Sequence, residues 1–273
     1  MICYKSKTYK YKKKLKKLKG ELNKLKNDSI TIKSDYNDYI HVKTYNSGLS
    51  KMWFSKDRNE QDNNIFQSMY NVNDLEKIHL TYIYPLLTCL VYCDTLNNSL
   101  MIGLGGGHIP LFIKEKYPNI DIKVVEIDEK VAIASENMGM RVINGLTICI
   151  DDGINFFKNS TNKYDLVIID LDSEESLLKF NFDKIANSVN SNGILAINSF
   201  TYNQTLLPNI LKKYFVCIKH FRSHTNNVFI CSKEKSKYEQ MNKKISVEMI
   251  NNIFMKHQQE FVSNVNSIDY NML

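Results

Sequence analysis

The sequence predicts an α/β fold: a mostly parallel, doubly wound sheet that ends in an antiparallel hairpin and is preceded by a small β-meander. Three observations carry this. Apolar strand-like runs at 99–103, 121–126, 147–150, 165–170 and 194–199 alternate with helix-like stretches at 109–117, 129–138, 153–158, 182–190 and 204–214. Such alternation puts helices on both faces of a parallel sheet. Two further β-prone runs, Val216 to Phe221 and Asn227 to Ser232, follow each other across a short turn, which reads as a terminal hairpin. Upstream, short β-prone runs at 30–32, 39–42 and 52–54 are separated by turn-like segments at 35–38 and 46–48, the pattern of a meander.

The other elements follow in chain order. Tyr11 to Asp28 reads as a basic helix, because Leu15, Leu18, Leu22 and Leu25 recur at helical spacing. Gly20 interrupts it at a cost of about 1 kcal/mol relative to Ala. A basic helix of this kind suits RNA, an anionic membrane surface or a partner groove; a solvated extension with a docked leucine stripe is the plainer reading. Leu75 to Cys93 reads as a helix or helix pair with a break or kink at Pro85. Met249 to Phe261 reads as a last helix. The chain therefore divides into a Lys-rich extension at 1–28, a meander and loop at 29–72, and the α/β domain at 73–273.

The composition of the 273 residues, 43% hydrophobic and 24% charged, excludes a collagen, a disulfide miniprotein and a wholly disordered chain. The net charge of +7 sits unevenly. Residues 1–26 hold 11 Lys against one acid, leaving 25 basic and 28 acidic residues in the remainder, a net of −3. The basicity belongs to the extension, and the body carries no strongly basic face. The longest apolar run, Leu80 to Cys93, is shorter than the roughly 20 residues a spanning helix needs. No apolar signal-peptide region opens the chain, so the expected setting is cytoplasmic, with organelle targeting by the basic N-terminus as the alternative. Cys89 and Cys93 lie one helical turn apart with no nearby His, and no metal site is expected.

The motif richest in chemistry is Gly103-Leu104-Gly105-Gly106-Gly107-His108, which follows an apolar strand and opens a helix. Glycines let a backbone turn tightly and approach a ligand that a Cβ would exclude. The next strand ends in Glu126, 19 residues after Gly107, where an acid can accept both ribose hydroxyls of an adenosine cofactor. The third strand is followed by Asp151-Asp152-Gly153, where an acid can take an adenine amino group and Gly153 opens the following helix. Ligands of open α/β sheets bind outside the carboxyl ends of the strands, where these three features line up. The dinucleotide pattern fails because position 108 is His, while the glycines at 103, 105 and 107 favour S-adenosylmethionine or a relative. No P-loop pattern occurs.

These residues, with the strand Tyr164 to Asp170, resemble the spermidine-synthase-like branch of the Rossmann-like class I methyltransferases. Gln67-Ser68-Met69 is similar to that branch's Gln-Ser segment, and the likeness covers about residues 30–232. The resemblance implies S-adenosyl-L-methionine or its decarboxylated form as cofactor. It implies cofactor contacts from Gln67, Gly103, Gly105, Gly107, Glu126 and Asp152 with Gly153, and a reaction centre at Asp170. Two departures argue against polyamine synthesis. His108 stands where aminopropyltransferases carry an acid that holds the substrate amine. Asp170-Leu171-Asp172-Ser173 replaces their Asp-Ser-Ser/Thr-Asp continuation and looks closer to the branch's methyltransferase-like members.

The function expected is N-methylation of a protein amine, N-terminal or lysine. Asp170 is the candidate acceptor or orienter of the amine. Asp172 is a second acceptor or, equally, a helix N-cap. A putrescine aminopropyltransferase and a non-catalytic binding module are the alternatives. DNA is not an expected partner, because no amine motif of the Asn/Asp/Ser-Pro-Pro-Tyr type and no Pro-Cys pair occurs.

Overall fold

The computed structural model describes residues 29–60, 66–171, 174–200, 206–222 and 226–273. The basic helix expected at 11–28 lies outside them, as do Asp172 and Ser173.

Strands β1 (Ser29–Lys33), β2 (Tyr39–Thr44), β3 (Leu49–Ser55) and β4 (Ser68–Asn71) form an antiparallel sheet in sequential order. The fourth strand is an addition to the meander read from sequence. Ile40, Val42, Met52 and Tyr70 are buried and join the main core. On β2 and β3 the register partners His41 and Trp53 stack with ring centroids 5.1 Å apart.

The segment Leu75 to Cys93 is less helical than its sequence predicts. Residues 75–82 are turns, and the helical part is confined to α1 (Ile83–Leu87) and a 3-10 turn at Thr88–Tyr92. Pro85 neither breaks nor kinks a longer helix. It sits in the first turn, where a missing N–H forfeits no intrahelical bond.

The main sheet contains β5 (Asn98–Ile102), β6 (Asp121–Glu126), β7 (Leu146–Ile150), β8 (Tyr164–Asp170), β9 (Val189–Phe200), β10 (Cys217–Arg222), β11 (Asn226–Ser232) and β12 (Asp269–Met272). Their order is β12-β10-β11-β9-β8-β5-β6-β7, parallel from β9 to β7 and antiparallel beyond. Helices α2 (His108–Lys116), α3 (Glu129–Asn137), α4 (Gly153–Asn159), α5 (Glu174–Leu178), α6 (Phe182–Ser188) and α7 (Leu206–Leu211) alternate with the strands up to β10.

Strand alternation builds two cores. Leu166 and Ile168 join Met101, Val124 and the meander residues on one face. Val167 and Ile169 join Leu100, Ile102 and Val125 under α4, α6 and α7 on the other. Because both faces are covered, β8 is apolar throughout its centre.

The C-terminal region departs from the expected single helix at 249–261. It forms α8 (Tyr238–Asn242), α9 (Val247–Ile250) and α10 (Gln258–Ser267), and then returns as β12 along β10. The break has a cause far away in sequence. The Glu76 carboxylate accepts the backbone N–H of Met255 at 2.9 Å and that of Lys256, and His257 adopts φ +52° with its Nε2 3.0 Å from Asp74. At the new sheet edge Lys219 is fully buried. Its ammonium donates to the Lys243 carbonyl at 2.8 Å and stands 4.0 Å over the Tyr270 ring. Burial pushes its pKa down to about 8. Among the described residues no helix is long and apolar enough to cross a membrane.

Candidate functional site

β5 lies between β6 and β8, so the chain leaves it toward opposite sides of the sheet; this is the switch point where open α/β sheets bind ligands. A cavity of about 830 Å³ opens there. Its walls bring together Gln67, Gly103, Gly105, Glu126, Asp152, Gly153 and Asp170, which the sequence scatters over a hundred positions. Gly107 is not among the lining residues. It caps α2 at φ +87°, and a Cβ there would press on Met140 rather than on a ligand.

The glycine loop is held from three sides. Gly103 N–H donates to Val125 O at 2.9 Å. The Leu104 N–H donates to Glu126 Oε2 at 2.9 Å, and the Asp128 N–H donates to Oε1 at 2.9 Å. The third hold comes from β4. Ser68 Oγ accepts the Gly106 N–H at 2.7 Å, and the Tyr70 hydroxyl donates to Gly106 O at 3.0 Å. Ser68 and Tyr70 share one strand face, two residues apart, and so clasp Gly106 by its N–H and its C=O, on two successive peptide units of the loop.

Glu126 is buried. Burial raises its pKa, and the backbone N–H groups of Asp128 and Leu104 oppose that shift by favouring the carboxylate. A carboxylate has about four lone-pair sites, so two backbone bonds leave acceptor capacity facing the cavity. Asp152 both lines the cavity and N-caps α4 by accepting the Ile154 N–H at 2.8 Å. The acid at the end of the third strand therefore has a structural duty as well.

Asp128, two residues beyond Glu126, is a joint the sequence did not single out. It N-caps α3 through Lys130 N–H at 2.8 Å. Its other oxygen accepts from Ser34 Oγ and from Asn37 Nδ2, the latter at 2.8 Å. This docks the β1–β2 turn on the cavity, where Tyr36 and Asn37 form part of the wall.

Asp170 closes β8 at the cavity floor. The Tyr82 hydroxyl donates to its Oδ2 at 3.2 Å and the Asn198 amide to its Oδ1 at 2.8 Å. Burial raises the Asp170 pKa, and these two donors act against it. His108 faces a different task from the acid it replaces. Its Nε2 lies 2.7 Å from the Leu75 carbonyl, which can only accept, so Nε2 carries the proton. Its ring stacks on Tyr70 at 5.1 Å, and burial pushes its pKa down to about 4. It is a neutral residue of the wall.

An adenosine-sized ligand fits these features. The loop lines the cavity with bare backbone at Gly103, φ +88°, and Gly105, φ +52°, where a Cβ would meet Asp170 O and Ser68 Oγ, and Glu126 lines the cavity beside it.

Comparison with known proteins agrees with the architecture. The zebrafish (Danio rerio) eEF1A lysine and N-terminal methyltransferase is 21% identical over 173 residues, 54% of this chain and 25% of that protein. A polyamine aminopropyltransferase of Vibrio vulnificus is 25% identical over 135 residues, 46% of this chain and 45% of that protein. The chain thus spans from a quarter to less than half the length of these curated relatives. A probable spermidine synthase from Corynebacterium glutamicum superposes with a TM-score of 0.65 at 12% identity, over 87% of this chain and 94% of that one, which establishes the shared fold. The model of the spermine/spermidine synthase domain matches residues 87–242. That match takes in more than half of the chain, from the end of α1 through α8, with the glycine loop and all three acid-bearing strand ends inside it, and the chain belongs to the spermine/spermidine synthase domain family.

Proposed function

We propose that the protein is an S-adenosylmethionine-dependent N-methyltransferase whose acceptor is an amine on another protein. The observation that carries this reading is one cavity with two ends. Gly103, Gly105 and Glu126 offer an adenosine cradle, and Asp170 offers a half-buried carboxylate close behind the loop. The relatives named as methyltransferases of a protein support the class of acceptor. That partner also motivates placing the protein in the cytoplasm.

The bound donor would supply an already activated methyl group, so alignment is the main task left to the protein. In this reading Glu126 takes the ribose hydroxyls, Asp152 with Gly153 meets the base, and Gln67 closes over the ribose side. Asp170 accepts an N–H of the incoming amine and orients its lone pair. Asp172 follows two residues later and is proposed as a second acceptor. The meander residues Tyr36, Asn37 and Phe54 complete the wall, so 29–72 works with 73–273 as one catalytic unit. An α-amine, with a pKa near 7.7–8.0, reaches the neutral nucleophilic form far more readily than a lysine near 10.4.

Aminopropyl transfer to putrescine is the competing reading, because relatives and structural neighbours include such enzymes. The neutral, committed imidazole of His108 speaks against it, since no charge there holds an amine. The test has two arms. Calorimetry compares S-adenosylmethionine with its decarboxylated form. Labelled S-adenosylmethionine is then incubated with host lysate, with and without enzyme, and the product is identified by mass spectrometry. A labelled protein amine is expected. Preference for the decarboxylated donor together with modification of a small polyamine would overturn the proposal.

A further inference from the structure

Asp170 and Asn198 are register partners on the parallel strands β8 and β9, both at the cavity. Asn198 is only 5% exposed. Its Nδ2 donates to Asp170 Oδ1 at 2.8 Å, and its Oδ1 accepts from Asn226 Nδ2 at 3.0 Å. Asn226 opens β11, on the far side of β9, so three neighbouring strands contribute one side chain each to a single file of hydrogen bonds. An ionised Asp170 fixes the polarity of the file. An ionised carboxylate only accepts, so the amide must turn its nitrogen to Asp170, and its oxygen then faces a donor. Asn226 supplies that donor and disfavours the flipped amide, which would set oxygen against oxygen.

We propose that Asn198, oriented by Asn226, is a positioning residue that holds Asp170 as a fixed, ionised acceptor for the amine nucleophile. The inference rests on the N-methyltransferase reading above and adds to it the residues that keep the carboxylate ready. Loss of water pushes the half-buried Asp170 carboxyl toward its protonated form, and Asn198 is the first of the two donors that oppose this, Tyr82 being the other. Among the described residues, Glu126, Asp152, Lys179 and His108 line the same cavity, but burial, Asn198 and Tyr82 set the state of Asp170. A protonated Asp170 would present a donor where the amine needs an acceptor.

The test reads Asp170 directly and needs no known acceptor. Full-length protein carrying aspartate labelled with carbon-13 at the side-chain carboxyl is titrated by NMR, and the resonance lost in Asp170→Asn identifies the group. In Asn198→Ala the Asp170 midpoint should rise by about one pH unit or more, a tenfold change in proton affinity. In Asn226→Ala it should rise less. A residue that only fills space would change stability and leave the midpoint in place, so an unmoved midpoint in folded Asn198→Ala overturns the proposal. If Asn198→Ala does not fold, Asn226→Ala decides, and an unmoved midpoint there overturns it equally. Titration with S-adenosylhomocysteine on the same samples separates the two readings. Absence of binding by the wild type would sink the methyltransferase assignment whatever the carboxyl midpoints do.

Discussion

Gly103 and Asp170 meet backbone to backbone: a Cβ on Gly103 would fall inside the contact distance of the Asp170 carbonyl oxygen. The glycine also holds φ +88°, which side-chain-bearing residues rarely adopt. The first residue of the glycine loop is thus packed against the strand end that carries the proposed acceptor. Gly103→Ala is expected to cost more than about 1 kcal/mol of stability, from strain and from clash together. It should also abolish binding of S-adenosylhomocysteine. Denaturant unfolding and calorimetry read the two effects separately.

Glu126 ties Leu104 to Asp128 and also lines the cavity, where it is the proposed acceptor of the ribose hydroxyls. Glu126→Gln keeps the shape but replaces one acceptor oxygen with a donor. Hydrogen bonds to charged groups contribute about 1.5–3 kcal/mol, so S-adenosylhomocysteine should bind roughly ten- to a hundredfold more weakly. An unchanged dissociation constant would remove Glu126 from the ligand.

The clasp on the glycine loop should behave as a unit. Ser68→Ala leaves the Gly106 N–H without its partner, and a buried unsatisfied group costs about 1–3 kcal/mol. Tyr70→Phe removes the donor to the Gly106 carbonyl oxygen. A double-mutant cycle on urea unfolding should give a coupling of about 0.5 kcal/mol or more, because both side chains hold one residue, Gly106. Strict additivity would mean that the loop keeps its shape without the clasp.

How much of this was legible in the sequence follows from where each cause lies. The glycine loop, Glu126, Asp152 and Asp170 each sit at the end of an apolar run, so local pattern and chain order suffice to line them up. The same logic places Gly107 with the ligand, yet it lies outside the cavity lining and a Cβ there would meet Met140, because a repeat of glycines does not reveal which one faces the cavity. Ser68, Tyr70, Tyr82 and Asn198 act on partners far along the chain, and nothing near them in sequence marks the contact. The alternation of Ser68 and Tyr70 across Met69 was the available signal, but four residues are too few to announce a strand. β12 is a strand through its pairing with β10 rather than through its own mixed sequence, Asp269–Met272. The helix expected at 249–261 is apolar at helical spacing, and Glu76, over 170 positions earlier, overrides that pattern.

Two buried histidines make acid stability predictable. Burial pushes both His108 and His220 down to about 4, whereas an unfolded His titrates near 6.5. Between those values the unfolded chain binds more protons than the folded one, so stability falls as pH drops from about 6.5 toward 4. Each histidine contributes a slope of up to about 1.4 kcal/mol per pH unit in that window, and none above it. His108→Gln retains a donor for the Leu75 carbonyl and removes the titration. Urea unfolding at pH 7.5 and pH 5 should show a smaller loss in this variant than in the wild type. An identical loss would mean that His108 is protonated in the folded protein.

The most direct measurement is calorimetric titration of the purified full-length chain with S-adenosylhomocysteine, run beside Glu126→Ala. One equivalent bound per chain by the wild type, and binding lost or strongly weakened in Glu126→Ala, is the expected result. A wild-type protein that binds no S-adenosyl ligand, or a variant that binds it as well as the wild type, would contradict the assignment of this cavity.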